Sequence, residues 1–128
     1  MKQELKNAYE KVSTGTELRA GLIEMKNLLK EEKNRRELAY QLGGDFKILT
    51  RCLSDEDPKV RKNAALVLGA MESDDLVPVL LNAYKKEDTL FVKSAYLKAL
   101  FDLDYEEELP YLKERLQELD ETTVTEEN

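Results

Sequence analysis

The sequence predicts an all-α protein, and three observations carry that reading. Its 128 residues include only 5 glycines and 3 prolines, the two residues least tolerated inside helices. Apolar residues recur at three- and four-residue intervals, and no apolar/polar alternation runs beyond four residues. From the Pro58 region onward the chain overlays on itself at a shift of 32 residues, the mark of a repeated helical unit.

The first helix is expected from about Lys2 to Val12, stopped by Ser13-Thr14-Gly15. Thr16 opens a second, which places Leu18, Leu22, Met25, Leu28 and Leu29 on one face. A third spans roughly Asn34 to Leu42 and ends at Gly43-Gly44, where glycine suits a left-handed C-terminal stop. Asp45 then caps a short fourth helix through Leu53. Asp57-Pro58 is the clearest boundary, because Asp accepts from the free amides of a helix start and Pro loses no hydrogen bond in the first turn. The helix it opens runs to Met71. Asp74 and Asp75 precede a helix through Tyr84, Asp88 and Thr89 one through about Leu103, and Glu106 to Glu108 a last one ending near Leu119. Acidic residues at helix starts favour the macrodipole. One domain over residues 1–119 and a flexible acidic, polar tail over 120–128 follow.

At the shift of 32, Val60, Ala64 and Leu68 fall on Val92, Tyr96 and Leu100, and Arg61 falls on Lys93. Pro78, Leu80 and Tyr84 fall on Pro110, Leu112 and Leu116. Looking backward at a shift of 26, Arg61 falls on Arg35, Ala64-Ala65 on Leu38-Ala39 and Leu68-Gly69 on Leu42-Gly43. About three helical hairpins with a helix at each end are expected. Unequal shifts mean unequal loops, which a stack tolerates because each repeat touches only its neighbours.

The run Asp57-Pro58-Lys59-Val60-Arg61-Lys62-Asn63-Ala64-Ala65-Leu66-Val67-Leu68-Gly69 resembles the HEAT-repeat motif: a Pro-containing turn, Val-Arg, paired alanines, then Leu-Gly. Pro78 and Pro110 stand in first turns as the family's outer helices would have them. The resemblance covers about residues 17–119 and implies a right-handed α-α superhelix, a short solenoid. It also implies that Asp57, Pro58, Val60, Arg61, Ala64, Ala65, Leu68 and Gly69 are structural, with Asp57 and Arg61 in a ladder between repeats. Leu42-Gly43-Gly44-Asp45-Phe46, the Asp57-Pro58 motif and Phe91-Val92-Lys93 with Tyr96-Leu97-Lys98-Ala99-Leu100 are similar to HEAT-like segments that precede bacterial RNA methyltransferase domains. None of these residues binds a methyl donor.

Composition narrows the chemistry. With no histidine, no tryptophan and one cysteine, the residues behind most metal sites, proton shuttles and nucleophilic dyads are missing, so an enzyme is not expected. Asp55-Glu56-Asp57, Asp74-Asp75 and Glu106-Glu107-Glu108 read as helix caps, lacking the alternation of a calcium loop. No metal and no cofactor are assigned. Cys52, beside Leu49 and Leu53, reads as a buried apolar residue. HEAT-like alkylpurine glycosylases use tryptophans in a basic concavity, which this chain lacks, and no residue specifically supports bilin-lyase chemistry. The longest near-continuous apolar run, Ala64 to Met71, is far short of the ~18 residues of a membrane span. With no apolar secretory segment at the start, cytoplasmic location is expected.

Net charge is −7, unevenly spread. Residues 1–70 carry 14 basic and 11 acidic side chains, and residues 71–128 carry 6 and 16. The family architecture puts the helices near 34–42, 58–71 and 89–102 on the concave face. Their outward positions, Arg36, Tyr40, Lys62, Asn63, Leu66, Ser94 and Lys98, form the candidate partner-binding site; Glu37 and Ala95 align with them. The overall acidity favours a scaffold or adaptor that binds a partner protein. The basic row Arg36, Lys62 and Lys98, with Tyr40 for stacking, supports the alternative of an accessory RNA-contacting domain in a larger RNA-modifying protein. A solvated helix face accounts for the same row without any ligand.

Overall fold

The computed structural model describes residues 2–103. Seven α-helices follow one another: α1 (Gln3–Thr14), α2 (Leu18–Leu28), α3 (Glu32–Leu42), α4 (Lys47–Arg51), α5 (Pro58–Gly69), α6 (Leu76–Lys86) and α7 (Leu90–Asp102). A 3₁₀ turn over Cys52–Ser54 extends α4, and no strand occurs among the described residues. The helix expected over 106–119 and the tail over 120–128, with Pro110, Leu112 and Leu116, lie outside the described residues.

Helix ends follow local chemistry. Gly15 (φ 75°) and Gly43 (φ 55°) terminate α1 and α3 in the left-handed conformation that a Cβ disfavours. Asp57 caps α5, its Oδ1 accepting from the Lys59 amide at 2.8 Å, with Pro58 in the first turn. Asp45 accepts from the Lys47 amide at 3.1 Å. Asp88 and Thr89 precede α7 as expected, and the Glu87 carboxylate accepts from the Thr89 amide. Two expectations need correction. Asp75 makes no capping bond to α6. Helix α3 starts at Glu32, two residues early, because the buried Asn34 side chain turns back to the Leu28 carbonyl (2.7 Å) and ties down the turn before it.

Packing gives three hairpins, but not all those the 26-residue shift implies. Helix α1 lies on α2, α4 and its 3₁₀ turn on α5, and α6 on α7, while α2, α5 and α7 pack side by side. Thus α2, not α3, stands next to α5. The reason is in the side chains. The buried stripe of α5 and the turn after it, Val60, Asn63, Ala64, Val67 and Met71, repeats 32 residues on as Val92, Ala95, Tyr96, Ala99 and Leu103, all buried. It also repeats 42 residues back as Leu18, Gly21, Leu22, Met25 and Leu29, of which only Leu18 keeps partial exposure. On α3 the stripe would be Asn34, Glu37, Leu38, Gln41 and Asp45, too polar to be sandwiched in a row. Helix α3 therefore buries Asn34 and Leu38 and serves as a connector. The outer side of α1 presents polar groups, with Lys2, Gln3, Lys6, Asn7 and Glu10 exposed.

Small residues set the closest approaches. A Cβ on Gly69 would fall 2.7 Å from the Ala99 Cα, and one on Gly21 would fall 2.9 Å from the Ala8 carbonyl oxygen, so α5 meets α7, and α2 meets α1, at glycine. One residue is held against its preference: Glu72, just beyond α5, has φ 57°. Glu72→Gly is expected to raise stability by about 0.5–1 kcal/mol in urea unfolding, since left-handed backbone costs a side chain more than this residue's exposed pair with Arg35 is worth.

Candidate partner-binding groove

Parallel stacking of α2, α5 and α7 aligns their starts, and arginines join them there. Arg19 Nη2 on α2 donates to Asp57 Oδ2 at 2.8 Å. Arg61 on α5 donates through Nε and Nη2 to the two oxygens of Glu87, at 2.9 and 3.0 Å, just before α7. Its Nη1 also donates to the carbonyls of Asp55 and Glu56. Arg35 repeats that last geometry on the carbonyls of Leu29 and Lys30 and reaches Glu72.

The Glu87 side chain is 5% exposed. Burial pushes its carboxyl upward, but donation from Arg61 and from the Thr89 amide outweighs this and holds it below the usual range. The buried Tyr96 hydroxyl joins the same carboxylate and is raised by burial first and then by that charge. A hollow of about 480 Å³ beside Arg61, Glu87 and Tyr96 adjoins this network. The network's charges answer one another across the helix starts, with Asp57 taken by Arg19 and Arg61 by Glu87. Arg19 and Glu87 complete the ladder without any motif to mark them in the sequence.

At the opposite ends of the same three helices lies a groove of about 430 Å³. Leu29, Leu66, Gly69 and Ala70 give it an apolar floor. Lys26, Lys30, Arg35 and Lys98 stand around it, with Glu72 and Asp102. Lys98 pairs with Asp102 at 3.3 Å and Arg35 with Glu72 at 3.2 Å. Lys26 reaches across from α2 and donates to the Asn63 side-chain oxygen at 3.1 Å. Its ammonium is depressed by burial, and further by the charges of Lys62 and Lys30.

Of the residues expected to face outward, Leu66 and Lys98 line this groove and Lys62 is its electrostatic neighbour. Arg36 and Tyr40 do not line it: α3 is outside the row, Arg36 pairs with Glu32 at 2.7 Å, and Tyr40 is 86% exposed. Asn63 and Ser94 are corrected from outward-facing to buried. Asn63 sits at the α2–α5 contact, where its amide also donates to the Lys59 carbonyl at 2.8 Å. Lys26 and Lys30 were missed because they lie outside the helices expected to form the binding face, and Arg35 because it falls on Arg61, read as structural. Lys26 and Lys30 share a face by their four-residue spacing, but only the docking of α2 on α5 brings that face to Leu66.

Elsewhere the chemistry is spare. No group of three or more potential metal ligands occurs among the described residues, and no described helix is long and apolar enough to cross a membrane. Cys52 is buried, its thiol directed to the Ile48 carbonyl and pushed up chiefly by burial.

Stacked antiparallel helices joined by a repeated side-chain ladder define a short helical solenoid. The family model for HEAT repeats matches residues 46–127, and the chain belongs to the HEAT-repeat family. No curated protein and no solved structure matches it. The match concerns the repeats; the likeness to RNA-methyltransferase segments rests on the sequence motifs alone.

Proposed function

We propose that this chain is a non-catalytic HEAT-repeat adaptor that binds a partner protein on the face shared by α2, α5 and α7. HEAT repeats generally serve protein interaction as scaffolds. The observation that carries the reading here is the groove at the ends of three stacked helices, where half-buried Leu66 and Ala70 lie with buried Leu29 and Gly69 and are ringed by charge. Affinity capture from lysate with the wild-type chain, Leu66→Glu and Val79→Glu tests it. Leu66→Glu is expected to lose at least about tenfold of a captured partner that Val79→Glu, outside the groove, retains. Capture indifferent to Leu66 overturns the proposal.

The cluster of Lys26, Lys30 and Lys62 favours one second reading, an accessory RNA-contacting domain of a larger RNA-modifying protein. Anisotropy with structured RNA at about 50 and 200 mM salt decides it. Binding that weakens with salt and is lost in Lys62→Glu supports RNA contact, whereas no binding at the lower salt sinks it.

A further inference from the structure

We propose that the groove takes an acidic, leucine-bearing segment of a partner protein, with a carboxylate between Lys26 and Lys30 and an aliphatic side chain on Leu66 and Ala70. This rests on the protein-binding reading above and names the partner's chemistry.

Several cations are answered within the chain, Lys11 by Glu24, Arg19 by Asp57 and Arg36 by Glu32, and others such as Lys6, Lys33 and Lys85 stand unanswered among the described residues, away from the groove. Among the described residues, neither Lys26 nor Lys30 has a carboxylate within ion-pair distance. Lys26 instead leans on a neutral oxygen, that of Asn63, and sits beside two further ammonium groups. The end of α2 accounts for a cation in its last turn, but not for Lys26 crossing to the Asn63 side-chain oxygen of α5. Lys26 and Lys30 line the same groove with no carboxylate of the described chain on either, and an incoming carboxylate answers both.

The floor decides between a peptide and a nucleic acid. It is built of Leu29, Leu66, Gly69 and Ala70 and offers no ring for a base. The Phe91 ring, in the first turn of α7 and away from the groove, is covered by the ammonium groups of Lys59 at 4.5 Å and Lys62 at 5.7 Å. Single-stranded nucleic acid gains much of its affinity from aromatic stacking, whereas a leucine gains from an aliphatic floor.

The test is anisotropy of a fluorescein-labelled peptide of repeated Glu-Glu-Leu against the full chain. Its serine counterpart, Glu-Glu-Ser, and an oligouridine of equal length serve as comparisons. Lys30→Glu and Lys26→Gln, the latter keeping a donor for Asn63, are each expected to weaken the leucine peptide at least about fivefold, and the serine peptide should bind more weakly than it. Lys85→Glu on α6 should leave binding unchanged. Equal binding of the two peptides, equal loss in Lys85→Glu, or tighter binding of oligouridine overturns the proposal. Failure here with partner capture still dependent on Leu66 removes the acidic chemistry and leaves the adaptor reading standing. Capture indifferent to Leu66 removes both.

Discussion

Replacing Arg61 with alanine is expected to cost about 3 kcal/mol of folding stability, measured by urea unfolding at neutral pH. The side chains of Arg61 and Glu87 are 18% and 5% exposed, so the variant strands a buried carboxylate that has lost two charge-assisted hydrogen bonds. Arg61→Met combined with Glu87→Leu is expected to lose less, because no charge is left without its partner. A double variant as unstable as Arg61→Ala would mean that the cost is packing rather than charge.

The pH dependence carries a second check on the same pair. In the wild type the Glu87 carboxyl is held below its ordinary value. Its contribution is therefore full above the unfolded value, about 4.3, and is lost as pH falls through the lower folded value. In Arg61→Ala burial acts without the guanidinium, which reverses the shift. The folded state then binds the proton more tightly than the unfolded state, and stability falls as pH rises. The gap between wild type and Arg61→Ala should accordingly be narrower at about pH 4 than at neutrality. A gap that widens on acidification rejects this assignment.

Gly69→Ala is expected to destabilise by about 1–2 kcal/mol, although alanine is the better helix former by about 1 kcal/mol. The new Cβ would lie 2.7 Å from the Ala99 Cα and 2.8 Å from its Cβ. One of these is backbone and cannot rotate away, so α5 and α7 must separate. Gly69→Val should cost more than about 3 kcal/mol, because its extra methyls meet the same helix. Adding Ala99→Gly to Gly69→Ala should recover only part of the loss, since it removes the Cβ contact and leaves the Cα. Thermal unfolding of the three variants reads this order, and a neutral Gly69→Ala would place α7 farther from α5 than described.

Much of the architecture was legible along the chain. Asp57-Pro58 announced its helix through capping chemistry that acts within three residues, and Gly15 and Gly43 announced their stops through backbone sterics. Such features need no distant partner. The recurrence of an apolar stripe from Val60 onward to Val92 likewise marked a stack, because it states which side of each helix must be buried before naming what buries it.

What the sequence could not settle was which helices meet. Leu42-Gly43 and Leu68-Gly69 read alike, yet Gly43 ends a helix with φ 55° while Gly69 remains helical and admits α7. Arg35 and Arg61 also read alike and make the same carbonyl contacts, although α5 lies in the stacked row and α3 does not. Burial falls on the face with enough apolar surface, and Leu18, Leu22, Met25 and Leu29 outweigh the one apolar residue, Leu38, at the matching positions of α3. That choice brought Lys26 and Lys30 to Leu66 and Lys98, left Arg36 and Tyr40 outside, and drew Asn63 into a helix contact. The sequence by itself determined a stack of short helices, their caps and the face each must bury, because those follow from local sterics and spacing. The neighbour of each helix, and so the groove, was decided only in the tertiary structure, where apolar area competes across the whole chain.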